Sequence, residues 1–201
     1  MRKAEIKRKT KETNIALKLN IDGIGKTKID TGIGLLNHML ELFAFWGLFD
    51  VGIKAAGDLK IDIHHLNEDI GIVLGEAFKK ALGDKKGIRR IGFGAAPMED
   101  VVAIVVCDIS GRGSSKLVVP QEYPRNMQGG KDGYTFGDAE HFFDAFAKSF
   151  GVNINIEIDS FGQDFHATLE PIFKALGIAL DQATTIDPRR KGVPSSKGVI
   201  D

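Results

Sequence analysis

The sequence lacks the features that would place it in an oxidising compartment or in a membrane. It has one cysteine, Cys107, so no disulfide can form within one chain, and the apolar stretch VVAIVVCDIS around it predicts a buried structural thiol. No apolar run approaches the roughly 18 residues needed to span a bilayer. The charged N-terminus MRKAEIKRKTKET has no apolar segment of the signal-peptide kind. We therefore expect a soluble, cytoplasmic protein.

The sequence also lacks an excess of charge of either sign. Lysine and arginine together number 27, and so do aspartate and glutamate. This balance does not recruit nucleic acid or an anionic membrane, so we expect neither as a partner, and any anion site must be local. The 201 residues, 43% of them hydrophobic, suffice for one substantial core or two small half-domains.

Hydrophobic periodicity predicts alternating strands and helices. The alternation in AEIKRKTKETNIALKLNID predicts a pair of strands, and GLLNHMLELFAFWG predicts a helix that ends at Gly47. A strand, VGIKAAGDLKIDI, and a long amphipathic helix from His64 to about Gly83 follow, and then a strand, VVAIVVCDIS. After a loop at 126–137, we expect a helix (AEHFFDAFAKSFG), a strand (VNINIEID) and a last helix (ATLEPIFKALGIALDQAT).

An internal repeat is the most informative feature of the sequence. HMLELFAFWG at His38 parallels HFFDAFAKSFG at His141, and each has a phenylalanine five residues after the histidine. His38 lies 26 residues before His64, and His141 lies 25 residues before His166. HHLNE at His64 parallels HATLE at His166, so both halves contain H-x-x-x-E. The repeat predicts a duplicated half of strands and helices.

The repeated histidines and glutamates predict metal binding. Residues i and i+4 of a helix share a face, so each H-x-x-x-E pair offers a nitrogen and an oxygen to one ion. His65 points to another face and can serve a different ligand. Such ligands suit Mn, Fe, Co, Ni or Zn better than Mg or Ca. The alternative is that each histidine caps a helix or lies in the core, but the repetition favours a metal.

Several segments spread over nearly the whole chain carry a family resemblance. They are TKET, TGIGLLNHML, DIHHLNEDIGI, KKGIRRIG, APMED, DISGR, EHFF, HATLEPIFKA and DPRRKGVPSSKG. Through them the sequence resembles the imidazoleglycerol-phosphate dehydratases of histidine biosynthesis. The resemblance implies an α+β fold of the ribosomal protein S5 domain 2-like type. One domain, 1–201, would consist of two repeated halves, about 1–92 and 93–201. It also implies self-association into a large symmetric oligomer built from trimers, a 24-mer in that family.

The resemblance implies two Mn2+ ions per active site, at subunit contacts. One ion would be bound by His38, His65, His166 and Glu170. The other would be bound by His64, Glu68, His141 and the residue after His166, which is a histidine in the family and is Ala167 here. Comparing HHLNE with HATLE shows the same replacement inside this chain. The second metal site therefore lacks one ligand.

The reaction that the resemblance implies is dehydration of imidazole glycerol phosphate to imidazole acetol phosphate. Metal bound to the substrate imidazole would help the ring expel hydroxide. Glu12 of TKET matches the family's acid/base glutamate, and Glu170 is expected to be catalytic as well as a ligand. Glu12 and His38 are expected to contact the substrate, as is Trp46, which stands where the family has a histidine.

Other positions match the family's phosphate-binding residues. These are Arg90, Lys174, Ser195, Ser196 and Lys197. A further basic residue is expected in the loop before His141, with Lys131 as the first candidate and Arg125 as the second. Without the resemblance, each of them would be an ordinary surface residue.

Three functions stay open at this point. The first is the metal-dependent dehydratase, a carbon–oxygen lyase. The second is a catalytically impaired homologue that keeps the shell and one intact metal site and serves as a scaffold or binding protein. Departures near the site, Ala167, Trp46, Ile63 and Phe165, motivate it. The third is a metal-dependent hydrolase that acts on a different phosphorylated imidazole, or on a related ligand, with the same residues.

Overall fold

The chain forms the same order of strands and helices twice. The structure is a computed structural model, which describes residues 1–120 and 133–200. The first half contains β1 (Lys3–Lys9), β2 (Thr13–Asn20), β3 (Thr27–Asp30), α1 (Gly34–Trp46), β4 (Asp50–Gly57) and α2 (His64–Leu82). The second contains β5 (Ile91–Met98), β6 (Val101–Asp108), β7 (Ser114–Val118), α3 (Phe136–Phe150), β8 (Asn153–Ile158) and α4 (Phe165–Thr184).

Each half builds one four-stranded sheet. The strand orders are β1-β2-β4-β3 and β5-β6-β8-β7, and in both sheets the last pair, β3 with β4 or β7 with β8, is parallel. One face of each sheet packs against the helices in a common hydrophobic core. This confirms the predicted α+β fold of duplicated halves. The expected division between residues 92 and 93 lies inside β5, which belongs as a whole to the second sheet.

Three strands were not predicted from the sequence. β3 and β7 are short strands at the parallel edge of each sheet, so they carry little periodic signal. β5, with the sequence IGFGAAPM, has glycines at the positions that face α4. A Cβ atom at Gly94 would lie 2.1 Å from the Ala175 carbonyl oxygen, so the close approach of α4 requires glycine there. The same glycines interrupt the alternation of apolar and polar residues by which a strand is predicted from sequence.

The helices pack in two close pairs. In the α2–α3 pair, a Cβ atom at Gly75 would lie 2.6 Å from the Phe146 carbonyl oxygen. In the α1–α4 pair, a Cβ atom at Gly177 would lie 2.4 Å from the Phe43 carbonyl oxygen. Glycine therefore lets the two backbones of each pair touch. The first pair brings together the helices that carry His64 and His141, and the second those that carry His38 and His166.

The structure agrees with the expectation for the lone cysteine. Cys107 lies in the core, and burial raises the pKa of its thiol to about 12, so it is an inert packing residue. Among residues 1–120 and 133–200, no helix combines the length and apolar character that crossing a membrane requires.

Candidate active site

His38, His166 and Glu170 converge where α1 meets α4. The Nε2 atoms of His38 and His166 lie 3.4 Å and 3.0 Å from Glu170 Oε2. The two imidazoles stack, with ring centroids 4.9 Å apart. One ligand atom from each of the three residues lies within 4.8 Å of the others. Two ring nitrogens and a carboxylate oxygen at this spacing fit a borderline divalent cation.

Lys174 holds the carboxylate of this group in place. Its Nζ atom lies 2.5 Å from Glu170 Oε1, so the two carboxylate oxygens face different partners. Burial acts to raise the pKa of Glu170, but the Lys174 ammonium and the hydrogen bonds from His38 and His166 outweigh it and lower that pKa below its ordinary value. Glu170 is therefore ionised and ready to bind a cation. Lys174, which is also predicted to bind phosphate, thus contacts a predicted metal ligand.

His64, His141 and Glu68 form a second cluster where α2 meets α3. The Nδ1 atoms of His64 and His141 lie 2.9 Å apart. Glu68 Oε2 approaches the other ring nitrogen of His64, at 3.8 Å, and its side chain is 49% exposed. The imidazole pair and the carboxylate thus lie on different edges of the His64 ring, so these three residues do not converge as the first group does.

Ala167 offers no ligand and little room for one. Its side chain is buried, and the backbone N–H donates to Asp164 Oδ1 at 2.8 Å, which caps α4. A Cβ atom at Gly162 would lie 2.8 Å from the Ala167 Cβ, so the loop before α4 covers this position closely. A histidine here would have to displace that loop. The described residues therefore do not complete a four-ligand second site within one chain.

His65 lies apart from His38, His166 and Glu170, between two carboxylates. Its Nδ1 atom is 3.1 Å from Asp58 Oδ2 and 3.9 Å from Glu12 Oε2. The hydrogen bond to Asp58, aided by the charge of Glu12, raises the pKa of His65. Of the four ligands expected for the first metal, three therefore form one group within a single chain. The fourth, His65, lies beside Glu12.

Arg90 is fixed beside the segment that carries the serines and the lysine expected to bind phosphate. Its Nε and Nη2 atoms donate to Asp108 at 2.6 Å and 3.0 Å, and Nη1 donates to the Pro194 carbonyl at 3.0 Å. The residue has a left-handed φ of 76°, which is strained for a side chain other than glycine. The salt bridge raises the pKa of Arg90, so its cation is permanent.

The remaining candidates lie at the surface. Ser196 and Lys197 are exposed, and Ser195 Oγ accepts from the Lys197 N–H at 3.2 Å. Trp46, at the end of α1, is 46% exposed and contacts the ring of Phe45. Lys131 and Arg125 lie outside the described residues. Sequence reasoning missed Asp58 and Asp108, since only the sheet brings them to His65 and Arg90.

Comparison with known proteins shows to which family the chain belongs. The sequence signature described as imidazoleglycerol-phosphate dehydratase matches residues 31–180. The chain belongs to the imidazoleglycerol-phosphate dehydratase family. It is 50% identical to the imidazoleglycerol-phosphate dehydratase of Pelobacter propionicus over 99% of both chains, and 47% identical to that of Methanocella arvoryzae over the full length of both.

Solved structures of the imidazoleglycerol-phosphate dehydratase family share the fold. The Pyrococcus furiosus protein in complex with (S)-C348 superposes with a TM-score of 0.79 at 34% identity, covering 96% of this chain and 99% of that one. The Staphylococcus aureus protein gives a TM-score of 0.75 at 32% identity, covering 92% and 99%. Membership in this family places the chain among the hydro-lyases, as its motifs predicted.

Proposed function

We propose that this chain dehydrates imidazole glycerol phosphate to imidazole acetol phosphate, with a bound divalent cation that is Mn2+ by analogy with the family. The observation that carries the proposal is the convergence of His38, His166 and Glu170 in a chain of this family. A divalent cation held by these three residues would supply a Lewis acid for the reaction. The ionised Glu170 offers Oε2 to the cation, while Lys174 binds Oε1 and fixes the carboxylate.

Glu12 is the group placed to move protons. Dehydration removes a proton from one carbon and a hydroxyl from its neighbour, and the resulting enol becomes the ketone. The Glu12 side chain is 55% exposed and faces His65. Its carboxylate can take the carbon-bound proton and deliver a proton to the departing hydroxyl, which leaves as water. Arg90, Ser195 and Lys197 supply donors for the phosphate.

Turnover by the purified, Mn-loaded protein tests the reaction. We expect formation of imidazole acetol phosphate, and a loss of about 100-fold or more in kcat for Glu12→Gln, because proton transfer by a positioned group contributes that much. Lys11→Gln, which changes the neighbouring exposed side chain, is the matched control and should keep kcat within about 2-fold. Equal rates for Glu12→Gln and Lys11→Gln would show that Glu12 does not transfer the proton.

A second candidate function is a relative with one metal per chain and no turnover. The observation that favours it is the open second cluster, in which Glu68 does not converge with His141 and Ala167 supplies no ligand. Metal analysis of the dialysed protein, beside the turnover assay, separates the two. One ion per chain without product supports a scaffold or binding protein. Product formation supports the dehydratase at either stoichiometry.

Self-association is the third part of the proposal. The outer face of β5 and β6 is apolar, while β8 and β7 add Asn155, Glu157 and Lys116 to the same side of the sheet. The exposed apolar residues of β5 and β6 are Ile91, Phe93, Val102, Ile104 and Val106, each between 37% and 60% exposed. A contiguous apolar face of this kind marks an interaction surface. A second copy is the occupant we propose, because it could also bring its His65 to the His38 group. Sedimentation velocity tests this, and a monomer at all concentrations contradicts it.

A further inference from the structure

A buried carboxylate without a part in the proposed reaction lies one helical turn after His65. Asp69 is 8% exposed and, four residues on, shares its face of α2. Asp69 Oδ1 accepts from Arg8 Nε at 2.8 Å, and Oδ2 accepts from the Thr13 hydroxyl at 2.5 Å. Arg8 and Thr13 flank the turn between β1 and β2. Asp69 thus fastens that turn to the helix that carries His65.

The hydrogen bonds continue from Thr13 to Glu12. Because the only hydroxyl proton of Thr13 goes to Asp69, Thr10 is the donor in the 3.1 Å contact between the Thr10 and Thr13 hydroxyls. The Thr10 oxygen in turn accepts from the backbone N–H of Glu12 at 3.1 Å and of Thr13 at 2.9 Å. The bonds therefore run in one direction, from the Glu12 amide through two hydroxyls to the Asp69 carboxylate, and each strengthens the next.

The same end of the first sheet supplies the other carboxylate beside His65. Thr13 pairs with Gly57 at the end of the β2–β4 ladder, and Asp58 follows directly. Asp58 is therefore placed by the sheet itself. Glu12 lies on the turn beyond the ladder, which a backbone bond from the Thr10 N–H to the Thr13 carbonyl closes at 2.9 Å. That bond shapes the turn, whereas the side-chain bonds that end at Asp69 fix it to the helix that carries His65.

We propose that Asp69 is a positioning residue that sets, through Thr13 and Thr10, where Glu12 stands relative to His65. The inference rests on the proposed function, in which Glu12 moves protons. Asp69 does not touch the substrate, since it is buried and both of its oxygens bind protein groups. The Thr13 hydroxyl is the group to remove, because valine keeps the shape of threonine and loses both hydrogen bonds of the hydroxyl, to Asp69 and from Thr10.

Kinetics of Thr13→Val test the proposal. We expect kcat to fall about 10- to 100-fold with KM changed less than about 3-fold, because a misplaced proton-transfer group costs rate more than binding. Thr13→Ser, which restores the hydroxyl, should recover most of the rate. Asp50→Asn is the matched control: Asp50 also fixes a turn of the first sheet, by bonds from the Ile24 and Lys26 N–H groups, but far along the strands from Glu12. It should leave kcat within about 2-fold.

A double variant shows whether Thr13 acts through Glu12. If it does, adding Thr13→Val to Glu12→Gln causes no further loss, since the group that the link positions is already gone. Losses that multiply in the double variant would overturn the proposal, because Thr13 would then act elsewhere.

Hydrogen exchange provides a readout that does not need turnover. In Thr13→Val the amides of residues 10–14 should exchange at least about 10-fold faster while α2 stays protected, and Thr13→Ser and Asp50→Asn should match the parent there. Unchanged exchange in Thr13→Val overturns the inference. If the parent forms no product, the proposed function fails, while the exchange still decides whether Asp69 holds the Glu12 turn.

Discussion

The internal repeat relates the two histidine clusters to each other, yet only one of them converges. His38 corresponds to His141, His166 to His64, and Glu170 to Glu68. Both clusters lie where two helices meet through close glycine contacts. The difference follows from the residue one turn after each glutamate. Lys174 holds Glu170, which is buried, whereas Ile72 at the corresponding position cannot bind Glu68, which extends toward solvent.

The outer faces of the two sheets also differ between the repeats. The first carries charged side chains, namely Lys3, Glu5, Lys7, Lys18, Lys28 and Lys54, and the second carries the apolar residues proposed to bind another copy. The inner faces are alike, since both pack on the helices. Packing therefore restricts the buried positions of both repeats, while surface positions are free to acquire separate chemistry.

The largest expected effect separates the two sheet faces. Phe93→Glu combined with Ile104→Glu places two negative charges on the apolar face, and we expect the assembly to dissociate to smaller species because burying unpaired charge is costly. Lys18→Glu on the first sheet should leave the assembly intact. Sedimentation velocity measures both. If only the Lys18 variant dissociated, the roles of the two faces would be reversed.

The next effect separates the two clusters. Glu170→Gln should weaken Mn2+ binding by roughly 100-fold or more, because it removes the carboxylate of the convergent group. The corresponding change, Glu68→Gln, should weaken the tightest binding step by less than about 3-fold, since Glu68 stands away from the imidazole pair. Isothermal titration calorimetry of the metal-free proteins measures both. Equal losses would mean that the two clusters are equivalent in solution.

A substitution can also make the repeats more alike. Ala167→His gives α4 the histidine that α2 has at His65, but the loop at Gly162 covers that position. We expect the variant to lose about 1–3 kcal/mol of unfolding free energy from overpacking. Ala16→His, on an exposed strand position, should lose less than about 1 kcal/mol. Thermal and urea unfolding compare them. A stable Ala167→His protein that gains a second tightly bound ion would contradict the crowding.

The smallest effect concerns the strand that follows the first helix of each half. Asp50 begins β4, and Asn153 holds the same place in β8, so Asp50→Asn makes the first half like the second. Hydrogen bonds from the Ile24 amide and then Asn20 lower the pKa of Asp50 below 3.8. Its contribution to stability is thus present above about pH 4 and is lost as pH falls through the lowered pKa. Urea unfolding should show a difference from Asp50→Asn of at most about 1 kcal/mol at pH 7, because solvent screens the group, and a smaller difference as pH falls through the lowered pKa.

The sequence was enough to predict the four helices and the duplicated fold, since amphipathic periods and the repeated histidine spacing depend only on local order. It did not predict β5, because the close packing of α4 requires glycine at positions of β5 that would otherwise carry apolar side chains, so the alternating pattern of a strand is missing there. In the site, the spacing of Glu170 and Lys174 could have shown their contact. The places of Asp58 and Asp69 beside the Glu12 turn could not be predicted, because sheet register and helix docking create them.

The glycines between α2 and α3 set how closely the two helix backbones approach, and this spacing sets the distance between the imidazoles of His64 and His141. Gly75 lies 11 residues after His64, about three helical turns along α2. A methyl group there would press on the Phe146 carbonyl and part the helices, and His64 and His141 would move with them. The geometry of this cluster can thus be altered from a position that touches neither ring, so a survey limited to the ligands would overlook one of its determinants.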